Sequence, residues 1–193
     1  EGFSGVAISD RYGGYAFLES SDRQLCWAHL LRNFQAMIDR GDEAIGAGLI
    51  RCGEEVFRLW RRFQRGRLKR TTLVRKLGPV QGACHDLLER GIFEGTAKTG
   101  GVCVRIWNRY DSLWTFAERE GVEPSNNPIE RALRPAVIWR KLSFGTASSS
   151  GSRYAERMLS LIATCRKRGH DVLNVVREAV TVTRQGQPVP ALP

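Results

Sequence analysis

The chain has 193 residues, 42% of them hydrophobic, with 30 Lys and Arg against 20 Asp and Glu and a formal net charge of +10. That length suits one domain, or one with an insertion, and supports a hydrophobic core without metal or disulfide staples. The composition excludes an acidic disordered tail, no apolar run reaches the roughly 20 residues of a membrane-spanning helix, and the positive charge points to a polyanionic partner.

Glu1-Gly2-Phe3 opens the chain without a Met or a basic, apolar leader, so a portion of a longer, cytoplasmic protein is expected. Gly5 to Ser9 is a short, partly β-branched apolar run stopped by Asp10, and Arg11-Tyr12-Gly13-Gly14-Tyr15 follows as a turn. Gln24 to Leu31 reads as a strand passing into a helix that continues through Asn33 to Met37. From Asp42 to about Glu120 apolar residues recur at helical spacing, as in Val56, Leu59, Trp60 and Phe63, with helix ends expected at Gly41, Gly66, Gly78-Pro79, Gly91, Gly100-Gly101 and Gly121. Asn127 and Pro128 suit the N-cap and first position of a further helix. Another helix is expected from about Ser152 to Arg168, with Gly169 past its end. Asp171 should cap a last one over Val172 to Val182, before a Pro- and Gln-rich tail.

The charge is unevenly spread. Residues 51–76 carry ten basic and two acidic side chains, including Arg58, Arg61, Arg62, Arg65, Arg67, Lys69, Arg70 and Arg75. Residues 126–170 carry nine and two, including Arg131, Arg134, Arg140, Lys141, Arg153 and Arg166-Lys167-Arg168. One such block is ordinarily a solvated helix face, whereas two in one chain favour nucleic acid.

Two carboxylates stand out by position. Asp10 ends a strand, where a short acid projects from the sheet edge, yet it equally suits a turn. Glu130 stands three residues after Asn127, a capping-box spacing, yet it also opens a helix crowded with Arg131, Arg134, Arg140 and Lys141. Carboxylates that bind Mg²⁺ beside cations that hold phosphates are what phosphodiester chemistry requires. Other chemistries have weak support. Cys26-x-x-His29 lacks a second zinc-type pair, and G-x-S-x-G, P-loop and G-x-G-x-x-G motifs are absent. The five cysteines are odd in number and irregularly spaced, as expected of reduced thiols. Trp60, Trp107 and Trp114 read as core, and Trp139, beside Arg140-Lys141, is the one candidate base-stacking surface.

Four stretches, Ser9-Asp10-Arg11-Tyr12, Cys26-Trp27-Ala28-His29-Leu30-Leu31-Arg32, Ser125-Asn126-Asn127-Pro128-Ile129-Glu130-Arg131-Ala132-Leu133-Arg134-Pro135 and Trp139 to Thr146, resemble the catalytic domain of insertion-sequence 66 (IS66) family transposases. The likeness continues through Gly151 to Leu159. It implies an α/β (α+β) RNase H-like fold, here partial with the first three strands missing, and an Asp-Asp-Glu triad binding two divalent ions, Mg²⁺ or Mn²⁺. Asp10 matches the second Asp, Glu130 matches the Glu, and the first Asp is expected upstream of this sequence. The same likeness implies a catalytic core over 1–40 and 121–182, an all-helical insertion over 41–120 and a tail over 183–193. Asn126, Asn127, Arg131, Arg134, Arg140 and Lys141 would contact double-stranded DNA, both transposon ends and target. A homo-oligomer of the full-length protein is implied, with no nucleotide cofactor and no membrane partner. The competing reading is a non-catalytic DNA-binding or regulatory remnant, and Cys26 with His29 is similar to a pair that follows the second Asp in related transposases.

Overall fold

The computed structural model describes residues 4–15, 17–189 and 191, so Glu1-Gly2-Phe3, Ala16, Pro190, Leu192 and Pro193 lie outside the described residues. The protein is mostly helical with a small parallel sheet, an α+β arrangement divided into two compact units, residues 1–127 and 128–193.

In the first unit, strands β1 (Ala7–Ser9) and β2 (Arg23–Leu25) pair in parallel, with Ala7 opposite Arg23 and Ser9 opposite Leu25. The Cys26 N–H then donates to Ser9 O at 2.9 Å, extending the ladder to the first residue before α1 (Trp27–Ile38). Helices α2 (Glu43–Gln64), α3 (Arg70–Phe93) and α4 (Ala97–Trp107) follow as antiparallel neighbours, and the one-turn α5 (Thr115–Glu118) brings the chain back to β2. Its return is fixed by polar contacts: Thr115 Oγ1 donates to Arg23 O at 2.8 Å, and the Phe116 N–H donates to Gln24 Oε1 at 2.8 Å. Trp27 Nε1 and Gln24 Nε2 both donate to Leu113 O. The β2 edge is thereby covered instead of left as an open pairing template.

The core follows the helical stripes. Trp27, Leu30, Phe34 and Met37 of α1, Leu49, Val56 and Leu59 of α2, Leu73, Leu77 and Leu88 of α3 and Ile106 of α4 are all buried, with Trp27 packed on Trp114 and Trp60 edge-on to Phe116. Trp60 and Trp114 are core residues, and Trp107 is partly buried against the core.

The expected helix ends divide into two groups. Gly41, Gly66 and Gly121 take φ of +94°, +68° and +76° and do stop the chain. Gly78-Pro79 and Gly91 instead lie inside α3, and Gly100-Gly101 inside α4. An internal Pro costs roughly 3 kcal/mol, and the buried stripe from Leu73 to Leu88 offsets it. Gly91 is small for another reason: a Cβ there would meet Cys103 Sγ at 2.4 Å, because α3 and α4 touch at that point.

The second unit holds α6 beyond its first residue (Asn127–Leu142), α7 (Ser149–Arg168) and α8 (Val172–Arg184). Helix α7 starts three residues before the expected Ser152, because Ser148 Oγ accepts the Gly151 N–H at 3.1 Å and draws the serine tract into the first turn. Gly169 ends α7 with φ +73°, and Asp171 Oδ1 caps α8 by accepting the Asn174 N–H at 2.8 Å. Cys165 is buried here, while Leu133, Leu142, Phe144, Tyr154 and Leu173 stay well exposed.

Candidate functional site

Asp10 stands at the carboxyl end of β1, half-buried, in the position where parallel sheets present ligand-binding groups. Its Oδ1 accepts the Tyr12 N–H at 3.0 Å, so the turn that the sequence allows is formed, and it orients the carboxylate.

Under this strand end lies Arg23, only 3% exposed. Its Nε donates to Ser9 Oγ at 3.0 Å, Nη2 to Asp10 O at 2.6 Å and Nη1 to Tyr15 O at 3.3 Å. Arg11 donates to Asn33 Oδ1, and Asn33 Nδ2 in turn donates to His29 O at 2.6 Å, tying the turn after β1 to α1. Arg109 Nη1 donates to Leu18 O at 3.0 Å. Burial pulls the Arg11 and Arg23 guanidinium pKa values down, with the charges of Arg105 and Arg109 respectively adding to the effect. Arg11, Arg23, Arg105 and Arg109 surround one cavity of about 440 Å³. None of the four is a predicted contact from sequence; the available signal is the i, i+4 spacing of Arg105 and Arg109 together with Arg11 following Asp10.

Asn126 and Asn127 close the first unit, with Asn126 Oδ1 buried and without a hydrogen-bond partner among the described residues. Glu130 lies in the first turn of α6, half-exposed, and Arg131, Arg134, Arg140 and Lys141 are exposed along the same helix. Helices α6 and α7 bring Arg131 together with Arg166 and Lys167 around a cleft of about 420 Å³. Trp139 is 39% exposed on α6. Asp10 belongs to the first unit and Glu130 to the second.

The basic block of α2 and α3 is partly structural. Arg58 pairs with Glu55, and Arg70 Nη1 donates to Phe116 O and Ala117 O at 3.1 and 2.8 Å. Arg61, Arg65, Arg67 and Lys69 remain solvent-exposed around the Gly66 turn. Among the described residues no group of three His, Cys, Asp or Glu side chains gathers as a metal site, and no helix is long and apolar enough to cross a membrane.

Two relatives from Sinorhizobium fredii (strain NBRC 101917 / NGR234), the uncharacterized proteins y4qI and y4jO, are 28% and 30% identical to the chain over 97% and 85% of its length. The alignments cover 37% and 49% of those two proteins, so the chain spans less than half of either. No solved structure matches it. The transposase IS66 family matches residues 1–154, which include the strand end at Asp10, the four-arginine cavity and the start of α6. The chain belongs to the IS66 family of transposases.

Proposed function

We propose that this chain is part of the catalytic region of a transposase that cleaves and joins double-stranded DNA, with Asp10 and Glu130 as two of its three catalytic carboxylates. The reading is carried by Asp10: a carboxylate at the carboxyl end of a parallel strand, held by its own turn, beside a cavity walled by arginines. Membership of the family supports it. Residues 1–40 and 121–182 would form an RNase H-like core, residues 41–120 its helical insertion and residues 183–193 a tail.

Asp10 and Glu130 are hard-oxygen donors of the kind Mg²⁺ and Mn²⁺ prefer, and with an acid from outside this sequence they would complete the donor set. The bound ions would supply Lewis-acid stabilisation of the attacking and leaving oxygens of a phosphodiester. The chain's own residues do the rest. Arg131, Arg134, Arg140 and Lys141 neutralise strand phosphates and set the DNA's position without reading its sequence. Asn126 and Asn127 orient the start of α6 and offer side-chain amides to the backbone, and Trp139 presents an indole face to an unstacked base. The working protein would be a cytoplasmic homo-oligomer engaging transposon ends and target.

The test uses the full-length transposase containing this chain and a duplex carrying the element's end. Asp10→Asn and Glu130→Gln are each expected to abolish Mg²⁺- or Mn²⁺-dependent nicking and strand transfer while DNA binding persists. Nicking that survives either change rejects the assignment of that carboxylate.

A further inference from the structure

The cavity beside Asp10 has an unusual wall. It is lined by Arg11, Tyr12, Gly13, Arg23, Leu25, Arg105, Asn108 and Arg109, four cations with no acidic side chain among them. Arg23 is only 3% exposed, and its hydrogen bonds go to a hydroxyl and two carbonyls, so its charge is oriented by neutral acceptors, with Asp10 the nearby acid that favours it. Among the described residues no carboxylate forms an ion pair with Arg11, Arg23 or Arg105. Arg105 beside Arg11 and Arg109 beside Arg23 repel, a cost that Asp10 offsets in part, and an anion seated among the guanidinium groups lowers it further. Guanidinium forks match the oxygens of a phosphate, and the hydroxyl of Tyr12 and the amide of Asn108 add neutral donors.

Two of the arginines come from the strand ends and two from the end of α4 and the turn after it. The cavity therefore exists only when the helical block is docked on the sheet. It lies beside the strand end that carries Asp10, whose Oδ1 accepts the Tyr12 N–H and whose charge favours Arg11 and Arg23 without lining the cavity.

We propose that Arg11, Arg105 and Arg109, supported from beneath by Arg23, form a pocket for a backbone phosphate of the DNA strand that lies against Asp10. The proposal rests on the reading that the chain acts on DNA, and it adds a positioning site within the helical block. Arg11, Arg105 and Arg109 touch the phosphate; Arg23 acts through them and through the Asp10 carbonyl that it holds.

The experiment uses the whole chain and two probes. Duplex DNA of arbitrary sequence is titrated by fluorescence anisotropy over a range of salt concentrations. Arg105→Gln is expected to weaken binding about 10-fold and to reduce the slope of log affinity against log salt by about one, with Arg105→Lys restoring the slope. Arg11→Gln should behave as Arg105→Gln does. Arg90→Gln, at a surface arginine of α3 paired with Glu94 outside the cavity, measures the generic effect of losing one charge. An Arg105→Gln loss no greater than that of Arg90→Gln overturns the proposal. Pyrophosphate is the second probe: if it raises the melting temperature of the parent chain and not of Arg105→Gln while their DNA affinities agree, the pocket serves a free phosphate compound, and its assignment to DNA falls. Circular dichroism melts without ligand confirm that the variants fold. Neither readout involves cleavage, so nicking by an Asp10→Asn protein would reject the catalytic assignment of Asp10 and leave this result standing.

Discussion

Gln24 is wholly buried, and every polar atom of its amide is used: Nε2 donates to Leu25 O and Leu113 O, and Oε1 accepts the Phe116 N–H. Leu113 O has a second donor in Trp27 Nε1, whereas the Phe116 N–H depends on Gln24. Gln24→Met, close in size, should therefore destabilise the chain by about 1–3 kcal/mol, the cost of one orphaned buried donor; an unchanged urea midpoint would refute it. The cysteines make a second prediction. All five are free and buried, and burial raises the Cys103 thiol to about 11 and pushes Cys84 higher still. Alkylation by iodoacetamide near pH 8, close to the ordinary thiol pKa of about 8.5, should be slow in the folded chain and complete in denaturant when followed by mass spectrometry. Rapid native labelling of Cys84 would contradict the packing. The thiol state was legible from the odd count and irregular spacing of the cysteines. The role of Gln24 was not, because a polar residue inside an apolar run says nothing of the distant carbonyl that it will meet.

At the level of elements, glycine carries different meanings in one helix. Gly91→Ala must push against Cys103 Sγ at 2.4 Å where α3 meets α4, and overpacking of this kind costs about 1–3 kcal/mol. Gly82→Ala, in the same helix with nothing within 4 Å of its new Cβ, should stabilise by about 0.5–1 kcal/mol. Denaturant melts of the two variants should move in opposite directions. Sequence spacing could not separate these cases, since a glycine that ends a helix and one that lets two helices touch look alike until the partner helix is known. The helix ends set by Gly66, Gly169 and Asp171 were legible because their signals are local. The link from α2 to α4 adds a pH dependence: with Thr99 close by, the hydroxyl and N–H of Thr96 hold the Asp42 carboxyl below its ordinary range. A lowered folded pKa means stability that is present above the unfolded value of about 3.9 and lost as pH falls through the folded one. Asp42→Asn should lower the melting temperature at neutral pH and narrow its gap from the parent in strong acid.

On the scale of the whole molecule, the apolar core belongs to residues 1–127, whereas α6 to α8 bury Cys165 and leave Leu133, Leu142 and Phe144 in solvent. Amide exchange should consequently be orders of magnitude slower in α1 to α3 than in α6 to α8. Equal protection by mass spectrometry would contradict the difference in burial. The candidate site shows the same contrast between local and assembled information. The strand end at Asp10 and the helix start at Glu130 were legible as positions, but the arginine pocket draws on positions 11, 23, 105 and 109, and only the parallel pairing and the docking of α4 make them neighbours.

The Trp27 N–H donates to Pro124 O at 2.9 Å, so a largely helical segment of nearly a hundred residues leaves from and returns to one short seam beside the sheet. Such a seam uncouples growth from chemistry. Extra turns added at the Gly66 tip lengthen a hairpin whose roots stay put, and the loop-closure cost rises by only about 0.6 kcal/mol for each doubling of loop length. The tip is thus the place where added length would change the reach of the hairpin while Asp10 keeps its place.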